Sequence, residues 1–363
     1  MGRLHELHDE QGQSPWLDNL RRGWMTSGEL QQWIDRGVRG LTSNPSIFAK
    51  AMTETDDYDN ELRCLVKAGA DVEQAYWQLV VGDIERALEH LRPVHDASGG
   101  EDGYVSVEVS PSLAHDETGT VEAARRLDDR IDAPNLFIKV PATAEGVPAI
   151  RTLISEGRSI NVTLIFGLDR YREVMEAYIS GLEACDNDDL SSISSVASFF
   201  ISRVDVEVDR RLEEIGTDAA LDLRGKAAIA QGQLAYQLFL ETFRGERWEA
   251  LEARGARLQR PLWASTSTKN PSYPDTLYVD TLIGPNTVNT LPDSTLLAFE
   301  DHGTVARTVD ADPEAAQQVM VDLAEVGVDM DDVSAKLESE GVASFSKSFD
   351  EVLDTLEDRA EKV

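Results

Sequence analysis

Alternation constrains this chain more than any single motif does. Eight short apolar runs, at residues 15–20, 38–45, 104–111, 135–142, 159–166, 194–200, 261–266 and 287–292, are separated by stretches with helical apolar spacing. The helical stretches fall at 26–37, 46–91, 120–130, 146–156, 168–185, 201–215, 219–243 and 276–283. Strands that alternate with helices pair in parallel, because each return crossing runs through a helix. Eight of them in this rhythm predict an α/β fold, a closed (β/α)8 TIM barrel rather than an open doubly wound sheet. Residues 1–14 read as a polar lead-in with helical potential, and 312–363 as closing acidic, amphipathic helices, so extra N- and C-terminal helices are expected. No internal repeat or low-complexity linker divides the 363 residues, which predicts a single domain over 1–363.

Charge and cysteine usage narrow the partners. Acidic residues outnumber basic ones 67 to 34, giving a net charge of -33 spread along the chain. Such a surface argues against nucleic acid phosphates and anionic membranes as partners. Only eight of the 34 basic residues are lysine, and an acid excess with so few lysines suggests a protein adapted to high salt. Loss of structure on dilution into low salt is the result that would support this expectation; indifference to salt would count against it. Cys64 and Cys185 stand in unrelated contexts without a CxxC, so neither a disulfide scaffold nor a thiolate zinc site is expected. The histidines, at 5, 8, 90, 95, 115 and 302, form no HExxH or other compact ligand pattern, and no metal is expected. No glycine-rich phosphate turn follows any of the strands, which weakens nucleotide-binding readings. The N-terminus carries no signal-peptide pattern and no apolar run long enough to span a bilayer, so the expected location is cytoplasmic. Trp16, Trp33, Trp77 and Trp263 read as packing residues, since no basic patch accompanies them.

One charged residue stands out inside the strands. Lys139 interrupts the run Leu-Phe-Ile-Lys-Val-Pro at 136–141. Burying an ammonium is costly unless it finds a counter-ion or gives up its proton. A desolvated amine, which loses its proton more readily and becomes nucleophilic, belongs in such a place. A strand-end lysine that snorkels outward or pairs with a carboxylate belongs there equally well. Local sequence does not choose between them. In these barrels the reactive groups sit at the C-terminal strand ends. The strands here end in Asp18, Asn44, Glu108, Lys139, Asn161 with Thr163, Ser198 and Ser265. Taken singly, Asn44, Ser198 and Ser265 read as helix caps and Asp18 as a surface or capping acid. Glu108 is harder to dismiss, because it lies between Val107 and Val109 in a strand expected to be buried. Glu108 and Lys139 come from adjacent strands and could be a structural ion pair. Together the set supplies one amine, two carboxylates and several hydrogen-bonding groups at one mouth, which is what a Schiff-base enzyme requires.

The runs at 41–48 (Leu-Thr-Ser-Asn-Pro-Ser-Ile-Phe), 105–111 (Val-Ser-Val-Glu-Val-Ser-Pro), 135–143 (Asn-Leu-Phe-Ile-Lys-Val-Pro-Ala-Thr) and 161–166 (Asn-Val-Thr-Leu-Ile-Phe) resemble the transaldolase family. The similarity continues in order through 198–203, 263–271 and 275–290, in the manner of the long bacterial subgroup of these class I Schiff-base aldolases. The resemblance implies a (β/α)8 barrel acting on phosphorylated sugars with no metal and no organic cofactor, as a monomer or homodimer. It implies Lys139 as the Schiff-base amine, Asp18 as the group exchanging a proton with the C4 hydroxyl, and Glu108 acting through a water held with Thr163. Asn44 and Asn161 would bind the dihydroxyacetone fragment. Arg203, five residues after Ser198, would bind the phosphate with Ser265. The chain departs from the family pattern after the seventh strand. Where classical members carry a second arginine, it reads Ala-Ser-Thr-Ser-Thr-Lys-Asn, and Lys269 is the candidate for the second positive charge.

Overall fold

Eight parallel strands close on themselves in chain order in the computed structural model, which describes residues 2–361. Met1 of the lead-in and the last two residues of the closing helices lie outside the described residues. The strands are β1 (Gln13–Leu17), β2 (Leu41–Thr42), β3 (Val105–Glu108), β4 (Leu136–Pro141), β5 (Ile160–Ile165), β6 (Ser195–Phe200), β7 (Gln259–Ala264) and β8 (Thr287–Leu291). Each is buried along its whole length, as expected where a core fills one face and helices cover the other. The barrel expected from the strand–helix rhythm is therefore the fold.

Register matters more for the site than strand length does. Glu108 on β3 pairs with Lys139 on β4, and Lys139 with Asn161 on β5, so the three share one level of the barrel. The β5–β6 ladder shifts register between Val162 and Ile165, and Leu164 inside the shift takes a left-handed φ of 60°. Ser265, one residue past β7, does the same at 56°. Non-glycine residues avoid this region, and irregular strand ends of this kind gather beside functional sites.

Several helical expectations need correction. The helix expected in the lead-in is present as Arg3–Gln11, with Leu4 and Leu7 fully buried, but the lead-in ends earlier than expected, since Gln13 and Ser14 open β1. Two apolar residues three apart are enough to seat a helix that is otherwise polar. The stretch 26–37 divides into Arg22–Ser27 and Glu29–Asp35. The long region 46–91 is three helices, Pro45–Glu54, Asp59–Lys67 and Val72–Ala97. The last restarts at a capping box in which Asp71 accepts from the Gln74 backbone and Gln74 accepts in return. The stretch 219–243 breaks at Gly225, whose φ of +72° no helix allows, into Asp218–Leu221 and Ala227–Thr242.

The closing helices go to different places. Pro313–Glu325 packs outside the barrel against Ala227–Thr242. The final helix, Met330–Ala360, instead crosses the C-terminal mouth, touching Pro45–Glu54, Val72–Ala97, Ser202–Ile215 and β5. Its buried residues, Val333, Leu337, Gly341, Phe345, Phe349, Val352 and Leu356, recur every three or four positions and form one stripe. Gly341 lets this stripe lie on the barrel rim: a Cβ there would stand 3.0 Å from Leu164 Cδ2.

Candidate active site

Below the final helix lies a cavity of about 190 Å3 at the C-terminal end of the strands. Eight of the ten residues expected to carry function line it: Asp18, Asn44, Lys139, Thr163, Ser198, Arg203, Ser265 and Lys269. The other two are displaced from it. Glu108 stands behind Lys139, facing the side of the barrel where Tyr76 and Phe349 pack. Asn161 is fully buried beneath the cavity, donating to Ser106 Oγ at 2.9 Å and accepting from Ser198 Oγ at 2.7 Å.

Lys139 is only 4% exposed. Its Nζ lies 3.2 Å from Glu108 Oε2 and donates a longer bond, 3.4 Å, to the Ser43 carbonyl. The lysine that local sequence left open is thus sunk in the barrel rather than snorkelling, and its partner is the acid from the neighbouring strand. Glu108 Oε2 makes no aligned hydrogen bond, and Thr163 Oγ1 is likewise buried without a partner among the described residues. Buried polar atoms left this way are rare, and each calls for a reason in the chemistry of the site.

Asp18 begins where β1 ends, and its Oδ1 accepts from Thr42 Oγ1 at 2.8 Å. Burial pushes its carboxyl above the usual range, against the pull of the Lys139 charge and the Thr42 hydrogen bond. Glu108 is raised for the same first reason, burial, again opposed by Lys139, while the Asp18 charge adds to the rise. Two carboxyls near one amine, both with pKa pushed upward by burial, make a set suited to giving and taking protons.

The opposite wall is cationic. Arg203, one residue into the helix Ser202–Ile215, has no carboxylate in ion-pair range among the described residues. Its guanidinium lies 5.3 Å from the Phe200 ring and 5.9 Å from the Phe345 ring, and burial lowers its pKa. Lys269 reaches the same cavity from the loop after β7; burial and the nearby Arg203 lower its pKa. Two crowded cations, with no carboxylate in ion-pair range among the described residues, suit a dianionic ligand group. That loop is fastened to the Arg203 helix, since Tyr273 donates to Asp209 at 2.6 Å and Tyr278 to Asp205 at 2.8 Å. Asn44 caps the helix Pro45–Glu54 by accepting from Ile47 N at 3.0 Å, so its capping reading holds while it also lines the cavity. Ser265 and Ser202 share a 3.0 Å hydroxyl contact.

Sequence reasoning missed Phe345, which lines the cavity from the final helix with its ring centroid 5.7 Å from Lys139 Nζ. Its signal was the apolar stripe, which announces a buried face without saying what the face covers.

A closed parallel barrel with a buried amine and two carboxyls near its C-terminal mouth is an arrangement suited to imine chemistry at a lysine. The family model described as transaldolase/fructose-6-phosphate aldolase matches residues 15–356, and the chain belongs to that family. It is 52% identical over 355 residues to a protein of Thermobifida fusca named transaldolase, covering 97% of this chain and 96% of that one. A transaldolase of Frankia alni is 50% identical over 349 residues, covering 95% and 94%. A protein of Streptomyces coelicolor named transaldolase 2 is 49% identical over 360 residues, covering 98% and 96%.

Proposed function

We propose that the chain is a transaldolase, a transferase that moves a dihydroxyacetone unit from sedoheptulose 7-phosphate to glyceraldehyde 3-phosphate. The products are erythrose 4-phosphate and fructose 6-phosphate, and we assign the enzyme to the non-oxidative pentose phosphate pathway of the cytoplasm. The observation that carries this reading is the Lys139 amine, 3.2 Å from Glu108 at the base of a cavity whose far wall is Arg203 and Lys269. The chain works as one domain, since its site draws on residues from β1 through the final helix.

Lys139 Nζ adds to the C2 carbonyl of the donor ketose, and the carbinolamine loses water to give the iminium. Glu108, its pKa raised by burial, supplies the proton for that loss through a water shared with Thr163; the buried Thr163 hydroxyl without a partner and the Glu108 oxygen without an aligned hydrogen bond support this role. Asp18 takes the C4 hydroxyl proton as the C3–C4 bond breaks. The electron pair flows into the iminium, so the three-carbon unit remains as an enamine and the aldose phosphate departs. The enamine C3 then adds to the acceptor aldehyde, Asp18 returns a proton to the new alkoxide, and water at C2 frees the product ketose. Asn44 and Ser198 hydrogen-bond the three-carbon unit, with Asn161 beneath the cavity holding the Ser198 hydroxyl in place. Arg203, Lys269 and Ser265 hold the phosphate, and Lys269 supplies the charge that a second arginine supplies elsewhere.

Borohydride reduction with fructose 6-phosphate, followed by peptide mass mapping, tests the reading. A three-carbon adduct on Lys139 that disappears as sedoheptulose 7-phosphate forms on adding erythrose 4-phosphate is expected. An adduct that drains to free dihydroxyacetone at the same rate with or without acceptor would overturn transfer in favour of simple aldol cleavage.

A further inference from the structure

We propose that Phe345 determines whether the three-carbon unit is transferred or released, by keeping solvent water from C3 of the enamine held on Lys139. The inference rests on the reading of Lys139 given above and adds a residue that takes no part in bond making. Phe345 is 3% exposed, and its ring centroid lies 5.7 Å from Lys139 Nζ and 5.9 Å from the Arg203 guanidinium carbon. C3 of a bound unit is two bonds from Nζ; on the side of the amine that faces the ring, that carbon lies within reach of the ring face.

The helix holding the ring is fixed on both sides of the mouth. Before Phe345, Ser334 donates to the Phe166 carbonyl at 3.0 Å, Lys336 pairs with Glu207 at 2.6 Å, and Gly341 rests against Leu164. After it, Ser348 bonds Ser46 at 2.7 Å and Arg359 pairs with Asp59 at 2.9 Å. The ring is therefore placed by anchors from several elements rather than by its own packing alone.

The two fates of the enamine differ at one atom. Release requires a proton delivered to C3, after which water at C2 gives free dihydroxyacetone and the free amine. Transfer requires C3 to bond to the acceptor's aldehyde carbon, whose oxygen takes the proton, before water at C2 frees the longer ketose. An aromatic ring beside C3 has no acidic proton to give and fills space that a water would occupy. Phe345 thus acts against release without contributing to the chemistry of transfer.

The test is the ratio of dihydroxyacetone released to sedoheptulose 7-phosphate formed, starting from fructose 6-phosphate with and without erythrose 4-phosphate. Wild type, Phe345→Ala and Phe345→Leu are compared, with borohydride trapping on Lys139 scored in each. Phe345→Ala is expected to raise the ratio by about tenfold or more, as for a cavity opened to water beside a reactive carbon, and Phe345→Leu by about two- to threefold. If the alanine variant does not fold, the leucine variant carries the test alone. Unchanged ratios, whatever happens to kcat/KM, would overturn the proposal. Absence of any Lys139 adduct in wild type would overturn the reading beneath it, and the proposal with it.

Discussion

At the N-terminal end of the barrel, Asp102 is completely buried and fully engaged. It accepts from Ser14 Oγ at 2.9 Å, Trp16 Nε1 at 3.2 Å, Arg39 Nε at 2.6 Å and Arg260 Nη2 at 3.1 Å. At the C-terminal end, Asp18 has one hydroxyl donor, and Glu108 has an imperfectly aligned ammonium. Burial acts upward on all three carboxyls. At Asp102 the two arginines outweigh it and the pKa falls below the ordinary range; at Asp18 and Glu108 burial wins and the pKa rises. The cations follow suit, since Arg260 is paired with Asp102 whereas burial lowers Arg203 and Lys269. A cavity exists at each end, about 250 Å3 at the lower one. Arginine in a pocket is therefore not the distinguishing mark. Compensation is: where every charge is answered the network stabilises, and where charges are left half-answered they remain available to a substrate.

The largest expected effect is at Lys139. Lys139→Arg should abolish borohydride trapping and transfer while the circular dichroism spectrum stays native; an adduct on another lysine would break the contrast. Next is Asp102→Ala, which leaves the buried Arg260 and the half-buried Arg39 facing a void and should cost about 3–5 kcal/mol in denaturant unfolding. The same variant should leave the pH–rate profile where it was. Asp18→Ala should do the reverse, cutting carbon–carbon cleavage by ~10²-fold or more while imine formation and unfolding free energy change little. A stability loss as large as that of Asp102→Ala would remove the distinction between the two ends.

Smaller effects sharpen it. Lys269→Ala should raise KM for phosphorylated substrates by about tenfold with less change in kcat, and an unchanged KM would exclude Lys269 as a phosphate ligand. The pH dependence of stability should carry opposite signs at the two ends. Asp102 has a lowered pKa in the fold, so its contribution is present above the ordinary carboxylate value and is lost as pH falls toward the lowered one. Asp18 has a raised pKa, so its contribution is present below the ordinary value and declines as pH rises through the raised one. Subtracting the unfolding free energies of Asp102→Asn and Asp18→Asn from wild type across pH 3 to 7, about the window in which carboxyls titrate, isolates the two curves. Curves of the same sign would contradict the compensation argument.

What could be read from the chain follows the range of the forces involved. Strand identity was legible because a run of apolar residues is a local property, and Lys139 and Glu108 were legible as charges inside such runs. Their pairing followed once adjacent strands were taken to be parallel. Asn44 could be read both as a cap and as a site residue, and it lies where both readings put it. Breaks at Gly225 and before Asp71 were blurred, since apolar spacing continues across them. The Asp102 network joins residues 14, 16, 39, 102 and 260, and no local pattern announces a contact made by barrel closure. Phe345 was hidden for a related reason: the period of an amphipathic helix reveals that a face is covered, while the identity of what it covers is a tertiary fact.

The pairing of Glu108 with Lys139 across β3 and β4 has a consequence for how the molecule is made. Strand register has no half-steps, and a slip of one residue turns every side chain of that strand to the other face. The amine and its acid are also separated in the chain by the whole helix Glu117–Ile131, so they meet only after that crossover has closed. A collapsed but misaligned chain would hold the same residues and still offer no paired amine to a ketose. During refolding from denaturant, the appearance of borohydride-trappable Lys139 should therefore lag compaction and keep time with strand alignment, making the substrate a clock for the slowest step of barrel assembly.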